Sequence, residues 1–379
     1  MKILHIIVGL KTGGAEIALK RLVEAHAENP NFRHEVVSLT DIGKVGVHLI
    51  GRGIKVQSLG MRSTIGSVFA LWRLIRLIRK VRPDIVQTWM YHADLIGGLA
   101  ARFAGVKNVV WGIRTTEICA GGSKLTIIIR KLCAVLSALV PSVIVCVAEA
   151  SKRLHVALGY DAHRMVVIPN GFVAHDLRQL TKQAKALRKK FGFKDQDIVI
   201  GSVGRFNAVK DQQSFIHAAG IILNKYFNVY IIMAGRDINA NNVELAKWIN
   251  ETGCGQRFIL LDERDDVAVC MKAMDVFCLH SRAEGFPNVL GEAMAVARAS
   301  VSTDVGDAAL LLGDCGLIVA KDNISVLAEG LEKIINYPKE EREILGQKAR
   351  RRIKQYYTLQ QTVNQFEGIY HQAATEDLS

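Results

Sequence analysis

Two α/β domains in tandem, each built on a mostly parallel sheet with helices on both faces, are what this sequence predicts. Three observations carry that expectation. The chain has 379 residues, the length of two domains of ~150–200 residues each. Short apolar runs alternate with helical stretches, the rhythm of strands buried in a parallel sheet. That rhythm breaks once, at Ile168-Pro169-Asn170-Gly171, and then restarts. Half the residues are hydrophobic and 22% are charged, which excludes a disordered chain. Glycine, at 32 residues against 6 prolines, suits many tight strand-to-helix turns and not a Pro-rich linker protein.

In chain order, residues 2–8 read as a buried strand, 9–14 as a Gly-rich turn and 15–27 as a helix. Further strands are expected at 34–39, 85–88, 108–111, 143–147 and 165–168, with helical stretches between them. After the punctuation at 168–171 and a charged helix over 177–191, the second set begins. It reads as a strand at 197–203, a turn at 204–211, a helix at 213–225 and a strand at 229–234. Strands at 257–261, 276–279, 300–302 and 316–319 follow, and residues 340–374 read as helices alone. The boundary predicts a first domain over 1–172 and a second from 173. Ligands bind beyond the carboxyl ends of strands in such sheets, so a site is expected in a cleft between two facing sets of turns.

Charge is unevenly placed. Residues 1–172 hold 23 Lys and Arg against 10 Asp and Glu, which accounts for the whole net charge of +13. A one-sided excess predicts that the first half meets something anionic. Residues 69–82 read as a basic amphipathic helix with Arg73, Arg76 and Lys80 on one face, which points to an anionic membrane surface. Nucleic acid is not expected, because no recognised module is present. The apolar run at 1–10 ends at Lys11 without a small-residue cleavage site, and the most apolar region, 125–147, is broken by Arg130, Lys131 and Pro141. Neither a signal peptide nor a transmembrane helix is therefore expected. The seven cysteines, at 119, 133, 146, 254, 270, 278 and 315, form no Cys-x-x-Cys pair. That spacing argues against a structural zinc site and favours a reduced, cytoplasmic compartment.

The strongest chemical signal is Ser281-Arg-Ala-Glu-Gly-Phe-Pro-Asn-Val-Leu-Gly-Glu292, between a predicted strand and a helix. Pro287 fits the first helical position, and the backbone of Gly285, Phe286, Pro287, Asn288 and Val289 would face an anion or sugar oxygens. Glu284 and Glu292 suit the paired hydroxyls of a pyranose or a ribose, since a carboxylate accepts two hydrogen bonds. Two carboxylates beside a diphosphate require cations, and the turn Gly204-Arg205-Phe-Asn-Ala-Val-Lys210-Asp211 supplies Arg205 and Lys210. In the first half, Gly13-Gly14 permits close approach of backbone to a ligand, and neither a Gly-x-Gly-x-x-Gly nor a Gly-x4-Gly-Lys-Ser/Thr motif is present. The stretch Thr88-Trp-Met-Tyr-His92-Ala-Asp94 follows another buried strand.

Together these segments resemble family 4 of the retaining glycosyltransferases, which have the two-domain GT-B fold. The resemblance spans essentially the whole chain. It rests on Gly13-Gly14-Ala15-Glu16, Trp89-Met-Tyr-His92-Ala-Asp94, Pro169-Asn170-Gly171, Gly204-Arg205 with Lys210-Asp211, and Glu284-Gly-Phe-Pro-Asn with Glu292-Ala-Met-Ala. It implies two Rossmann-like domains, over 1–172 and 173–355, and a C-terminal helix, 356–379, returning to the first. It also implies that Glu284 holds donor-sugar hydroxyls, Glu292 the ribose, and Arg205 and Lys210 the diphosphate. His92 would support the transition state beside the sugar, Gly14 and Gly204 would line the donor, and Arg236 and Arg264 would lie against the base. Gly13, Glu16, Asp94 and Arg114 are assigned to the acceptor side. No metal and no other cofactor is expected, because cationic side chains meet the diphosphate. Two departures stand out: Ala297 and Ala299 replace a usual Gly and Pro, and Asp262 replaces a common Gly.

The resemblance implies a retaining hexosyltransferase; the cysteine usage and the basic first half place it in the cytoplasm, peripheral on the inner face of the plasma membrane. It would use a nucleotide sugar, UDP-linked and with UDP-glucose the first choice, to extend a glycan or lipid-linked acceptor in cell-surface polysaccharide synthesis. Two alternatives stay open at this point: a sugar-nucleotide epimerase of similar build, and a non-catalytic membrane scaffold. The oligomeric state is not legible.

Overall fold

The structure, a computed structural model, describes residues 1–61, 66–116 and 124–375. Cys119 therefore lies outside the described residues. The chain divides into two compact units: Met1–Gly171 with Leu359–Ser379, and Phe172–Thr358.

The first unit holds a seven-stranded sheet of β1 (Lys2–Ile7), β2 (Arg33–Ser38), β3 (Lys55–Ser58), β4 (Ile85–Trp89), β5 (Val109–Ile113), β6 (Val143–Cys146) and β7 (Met165–Val167). Every pairing is parallel, in the order β3-β2-β1-β4-β5-β6-β7. Strands β1, β4 and β5 are buried along almost their whole length, which suits their Ile and Val content, and His5, Gln87 and Thr88 are buried among them. β3 was not expected from sequence. It is an edge strand of four residues, Lys-Val-Gln-Ser, with no buried member, so hydrophobic patterning cannot reveal it.

The helix Gly66–Val81 covers part of the predicted basic amphipathic stretch. Leu74, Ile78 and Val81 pack inward, while Arg73, Arg76 and Lys80 are exposed. The Arg76 guanidinium lies 3.7 Å over the exposed Trp72 ring. Arg82 falls outside the helix, in a left-handed conformation with φ 49°.

The C-terminal helix, Leu359–Thr375, returns to the first unit. It buries Val363, Phe366, Ile369 and Tyr370 against Ile3, Ile7, Leu22 and Trp89. Polar contacts reinforce this seat. Tyr370 Oη donates to the buried Gln87 Oε1. A chain of imidazoles runs from the sheet to the helix. The Trp89 indole can only donate, and it donates to His5 Nδ1 at 3.2 Å. His5 Nε2 must then donate to His34 Nδ1 (2.8 Å), and His34 Nε2 to His26 Nδ1 (2.9 Å). His26 Nε2 ends the chain 3.2 Å from Glu367 Oε1 on the C-terminal helix. One donor at the end sets the tautomer of all three rings.

The second unit holds β8 (Ile198–Val203), β9 (Val229–Ala234), β10 (Phe258–Leu260), β11 (Val276–Leu279), β12 (Ala299–Thr303) and β13 (Gly316–Val319). They form a parallel sheet in the order β10-β9-β8-β11-β12-β13. Phe172 and residues 356–358 belong to this unit rather than to the segments flanking it. Phe172 N–H donates to Tyr357 O at 2.9 Å, and Phe172 bridges in parallel to Thr358. Among the described residues no helix is long and apolar enough to cross a membrane.

Candidate functional site

Strand order decides where each sheet opens a crevice. Connections after neighbouring strands that run to opposite sides leave a gap at their carboxyl ends, the topological switch point. In the first sheet that point lies between β1 and β4, and in the second between β8 and β11. The turns singled out in the sequence follow these four strands.

At the first switch point, Gly13 is the N-cap of the helix Gly14–Ala25. The Glu16 carboxylate folds back over it, so a Cβ on Gly13 would fall 2.4 Å from Glu16 Oε2. A carboxylate there also suits the positive end of the helix dipole. On the β4 side, Met90 is held at φ 75° and donates its N–H to Gly112 O at 2.9 Å. This left-handed residue turns the chain sharply into the helix Tyr91–Phe103, with half-buried His92 in its first turn. Burial lowers the His92 pKa and keeps its imidazole neutral.

Two residues assigned to the acceptor side make contacts inside this unit. Asp94 is 1% exposed. Its Oδ1 accepts from Thr88 Oγ1 at 2.5 Å and from Gly112 N–H at 3.3 Å, bracketing the helix to β4 and β5. Burial raises its pKa to about 7. Arg114 donates to Asn170 Oδ1 at 2.9 Å and stacks over Trp89 (4.6 Å) and Phe366 (5.8 Å). It thereby ties β5 to the C-terminal helix.

At the second switch point two turns meet. Lys210 Nζ lies 2.5 Å from Glu284 Oε1, and Ser281 Oγ donates to the same oxygen at 2.7 Å. The β8 turn is braced by Gln212, whose Nε2 donates to Arg205 O at 2.8 Å. Asp211, in a left-handed conformation with φ 54°, caps the helix Gln212–Lys225 and pairs with Arg282 Nη2 at 2.9 Å. The β11 turn is backed by Gly306, where a Cβ would fall 2.4 Å from Glu284 O and 2.3 Å from Gly285 O. Arg205 is exposed, and Glu292 is half-buried on the helix Asn288–Ala295.

That helix starts one residue later than expected. Pro287 is its N-cap rather than its first residue, with ψ 88° and a carbonyl that accepts from Leu290 and Gly291. Asn288 and Val289 form the first turn of the helix. The Phe286 side chain points inward, stacked on Phe172 at 6.1 Å and tilted against Tyr357 at 5.9 Å. Gly291 packs directly on the Phe172 ring, where a Cβ would fall 2.0 Å from the nearest carbon.

Neighbouring strands carry the remaining predicted residues. Gly235, at φ 144°, packs against the Gly204 turn so closely that a Cβ would fall 2.1 Å from Gly204 O. Phe206 N–H donates to Arg236 O at 2.9 Å, which places exposed Arg236 beside the Arg205 turn. Asp262 adopts φ 50°, explaining why glycine suits this position. Its own carboxylate accepts from Asp237 N–H (3.1 Å) and Asn239 Nδ2 (3.0 Å), which shapes the loop around Arg236. Arg264 is gripped by Asp266 through two bonds of 2.6 and 2.7 Å, and its pKa is raised by that pairing.

Sequence reasoning missed His280, Ser202 and the Asp211–Arg282 pair. The available signal was a histidine directly after the buried run 276–279. Among the described residues no group of three or more His, Cys, Asp or Glu is placed to hold a metal.

Comparison with known proteins agrees with this layout. The model of Glycosyltransferase Family 4 matches residues 12–174, and that of Glycosyl transferases group 1 matches residues 183–352. The chain is 25% identical over 310 residues to the capsular polysaccharide biosynthesis glycosyltransferase CapM of Staphylococcus aureus, covering 80% of each chain. It is 24% identical over 319 residues to an Escherichia coli UDP-Gal:alpha-D-GlcNAc-diphosphoundecaprenol alpha-1,3-galactosyltransferase, covering 81% of this chain and 80% of the relative. The crystal structure of Anabaena Alr3699/HepE in complex with UDP superposes with a TM-score of 0.84 at 21% identity, covering 97% of this chain and 99% of that one.

Proposed function

We propose, for a chain that belongs to the family 4 glycosyltransferases of GT-B fold, that it transfers a hexose from a UDP-linked sugar with retention of configuration. UDP-glucose is the first donor to try, and the acceptor is a glycan or lipid-linked saccharide in cell-surface polysaccharide synthesis. The observation that carries this reading is the Lys210–Glu284–Ser281 cluster at the switch point of the second sheet. A cation and a carboxylate held in contact there suit a phosphorylated sugar: one meets the diphosphate and the other the hydroxyls. The names of the curated relatives support the pathway, and solved structures with UDP and UDP-glucose support the donor.

In this reading Arg205 and Lys210 neutralise the diphosphate and then the charge it gains on leaving. A metal is not required, because these cations meet that charge. Glu292 takes the ribose, Arg236 and Arg264 flank the base, and amides at the start of the helix Asn288–Ala295 face oxygens of the donor. Neutral His92 is assigned to the transition state. The anomeric carbon loses its bond to the diphosphate and gains one to the acceptor oxygen on the same face. The acceptor's proton passes to a diphosphate oxygen. Glu284 then needs no role as nucleophile.

An anionic bilayer is the surface proposed to meet the first unit. Leu125, Ile128, Leu132, Val135 and Leu139 are 41 to 75% exposed, at alternating spacings of three and four along the helix Lys124–Leu136 and the turn after it. That apolar ridge lies in the half of the chain that holds all the excess positive charge. Sedimentation with vesicles containing anionic lipid, and not with neutral ones, is the expected result. Val135→Asp with Leu139→Asp should abolish it.

Thermal unfolding with UDP, GDP, ADP and their sugar conjugates tests the donor. A ligand that binds only the folded chain raises its Tm by mass action. UDP should do so, and Arg205→Ala and Glu292→Ala should lose the effect. A shift with GDP or ADP alone would reject the UDP reading. An altered UDP-sugar formed without acceptor would make the protein an epimerase.

A further inference from the structure

We infer that His280 is a positioning residue of the donor site, setting the backbone that carries Lys210. This rests on the assignment of Lys210 to the diphosphate. His280 follows β11 directly, is 5% exposed, and lies between the two turns of the second switch point. Its Nδ1 is 2.5 Å from Lys210 O, a carbonyl that can only accept, so Nδ1 carries the proton. Its Nε2 is therefore the acceptor for Ser202 Oγ at 2.5 Å, on β8. Phe215 stacks flat on the ring at 4.7 Å and 14°, closing it from a third side.

Every bond the imidazole can make is thus used to join β8, β11 and the Lys210 turn. The Lys210 carbonyl leads directly into Asp211, the left-handed residue at φ 54°, where the chain reverses into the helix Gln212–Lys225. Two further contacts hold the same turn from the β11 side: Arg282 N–H donates to Val209 O, and Arg282 pairs with Asp211. Of these contacts from β11 and the residues after it, His280 holds the Lys210 carbonyl. Burial lowers its pKa to about 4 against the opposing pull of the Lys210 carbonyl and Asp211, so it stays neutral and in this tautomer at neutral pH. Its ring is fully committed to Lys210 O and Ser202, so its effect on ligand runs through Lys210.

That prediction separates positioning from general stability. UDP binding is measured by calorimetric titration for the full chain, Lys210→Ala, His280→Ala and the double variant. Lys210→Ala should weaken binding about 10- to 100-fold, the loss of one charged hydrogen bond. His280→Ala should weaken it about tenfold alone and add nothing once Lys210 is gone, since coupled residues are not additive. His280→Asn places an N–H where Nδ1 stood and should restore most of the affinity, whereas His280→Gln matches Nε2 and should not. If His280→Ala does not fold, the Asn and Gln pair decides. Equal affinity of those two variants, or an additive double variant, would overturn the inference. If Lys210→Ala binds UDP normally, the assignment of Lys210 fails instead. If Lys210→Ala weakens binding and His280→Ala does not, only the role of His280 fails.

Discussion

Lys210 Nζ and Glu284 Oε1 lie 2.5 Å apart although 74 residues separate them in sequence. Their contact joins the turns after β8 and β11, so neither charge is left alone in the half-buried switch point. In the proposed mechanism, removing Lys210 takes away a cation assigned to the departing diphosphate. Lys210→Ala should lower kcat by about 100- to 1000-fold, read by steady-state kinetics with the donor that stabilises the protein. Glu284→Gln keeps the shape and the Ser281 bond, so a loss there reports the carboxylate's charge.

Ala297 sits at φ 60°, a left-handed conformation that a side chain resists. Ala297→Gly should raise stability by about 1 kcal/mol, seen as a higher Tm. Asp262→Gly should not repeat that gain, although Asp262 has nearly the same φ. It would lose the carboxylate bonds to Asp237 N–H and Asn239.

The imidazole chain makes the first unit sensitive to acid. Burial lowers the pKa values of His5 and His26, and that of His34 to about 3. The unfolded chain takes up protons below about pH 6.5 that the folded chain refuses. The contribution of these three imidazoles should therefore be full above that pH and fall as pH drops toward 3, by up to about 1.4 kcal/mol per pH unit for each proton. His34→Gln should reduce this slope, measured as the urea midpoint against pH.

Asp94 works in the opposite direction. Its pKa is raised to about 7, so the folded chain holds a proton that the unfolded chain has released. Its contribution is complete below about pH 4 and disappears as pH rises through 7. Asp94→Asn keeps the polar shape without the charge and should flatten the decline on that side of the same titration.

Much of the fold was legible because strands buried in a parallel sheet are mostly apolar. β1, β4 and β11 announced themselves as short, largely apolar segments ahead of turns. β3 did not, since an edge strand with no buried residue has no hydrophobic signature. The motif residues of the second unit were also legible as residue types: Arg205, Lys210, Glu284 and Glu292 are charged groups beside strand ends. Asp94 and Arg114 carried the same kind of signal, and both make contacts inside the first unit. Charge and spacing alone do not tell an inward carboxylate from an outward one.

Composition, apolar rhythm and turn chemistry are local properties, and they determined that this chain would form two parallel α/β units with chemistry at their strand ends. Which strands became neighbours was decided only by tertiary packing. Strand order creates the switch points, brings Lys210 to Glu284, and traps His280 between Lys210 O and Ser202. Those contacts depend on burial and on partners far away in sequence. A hydrogen bond between turns 70 residues apart leaves no mark on either segment read alone.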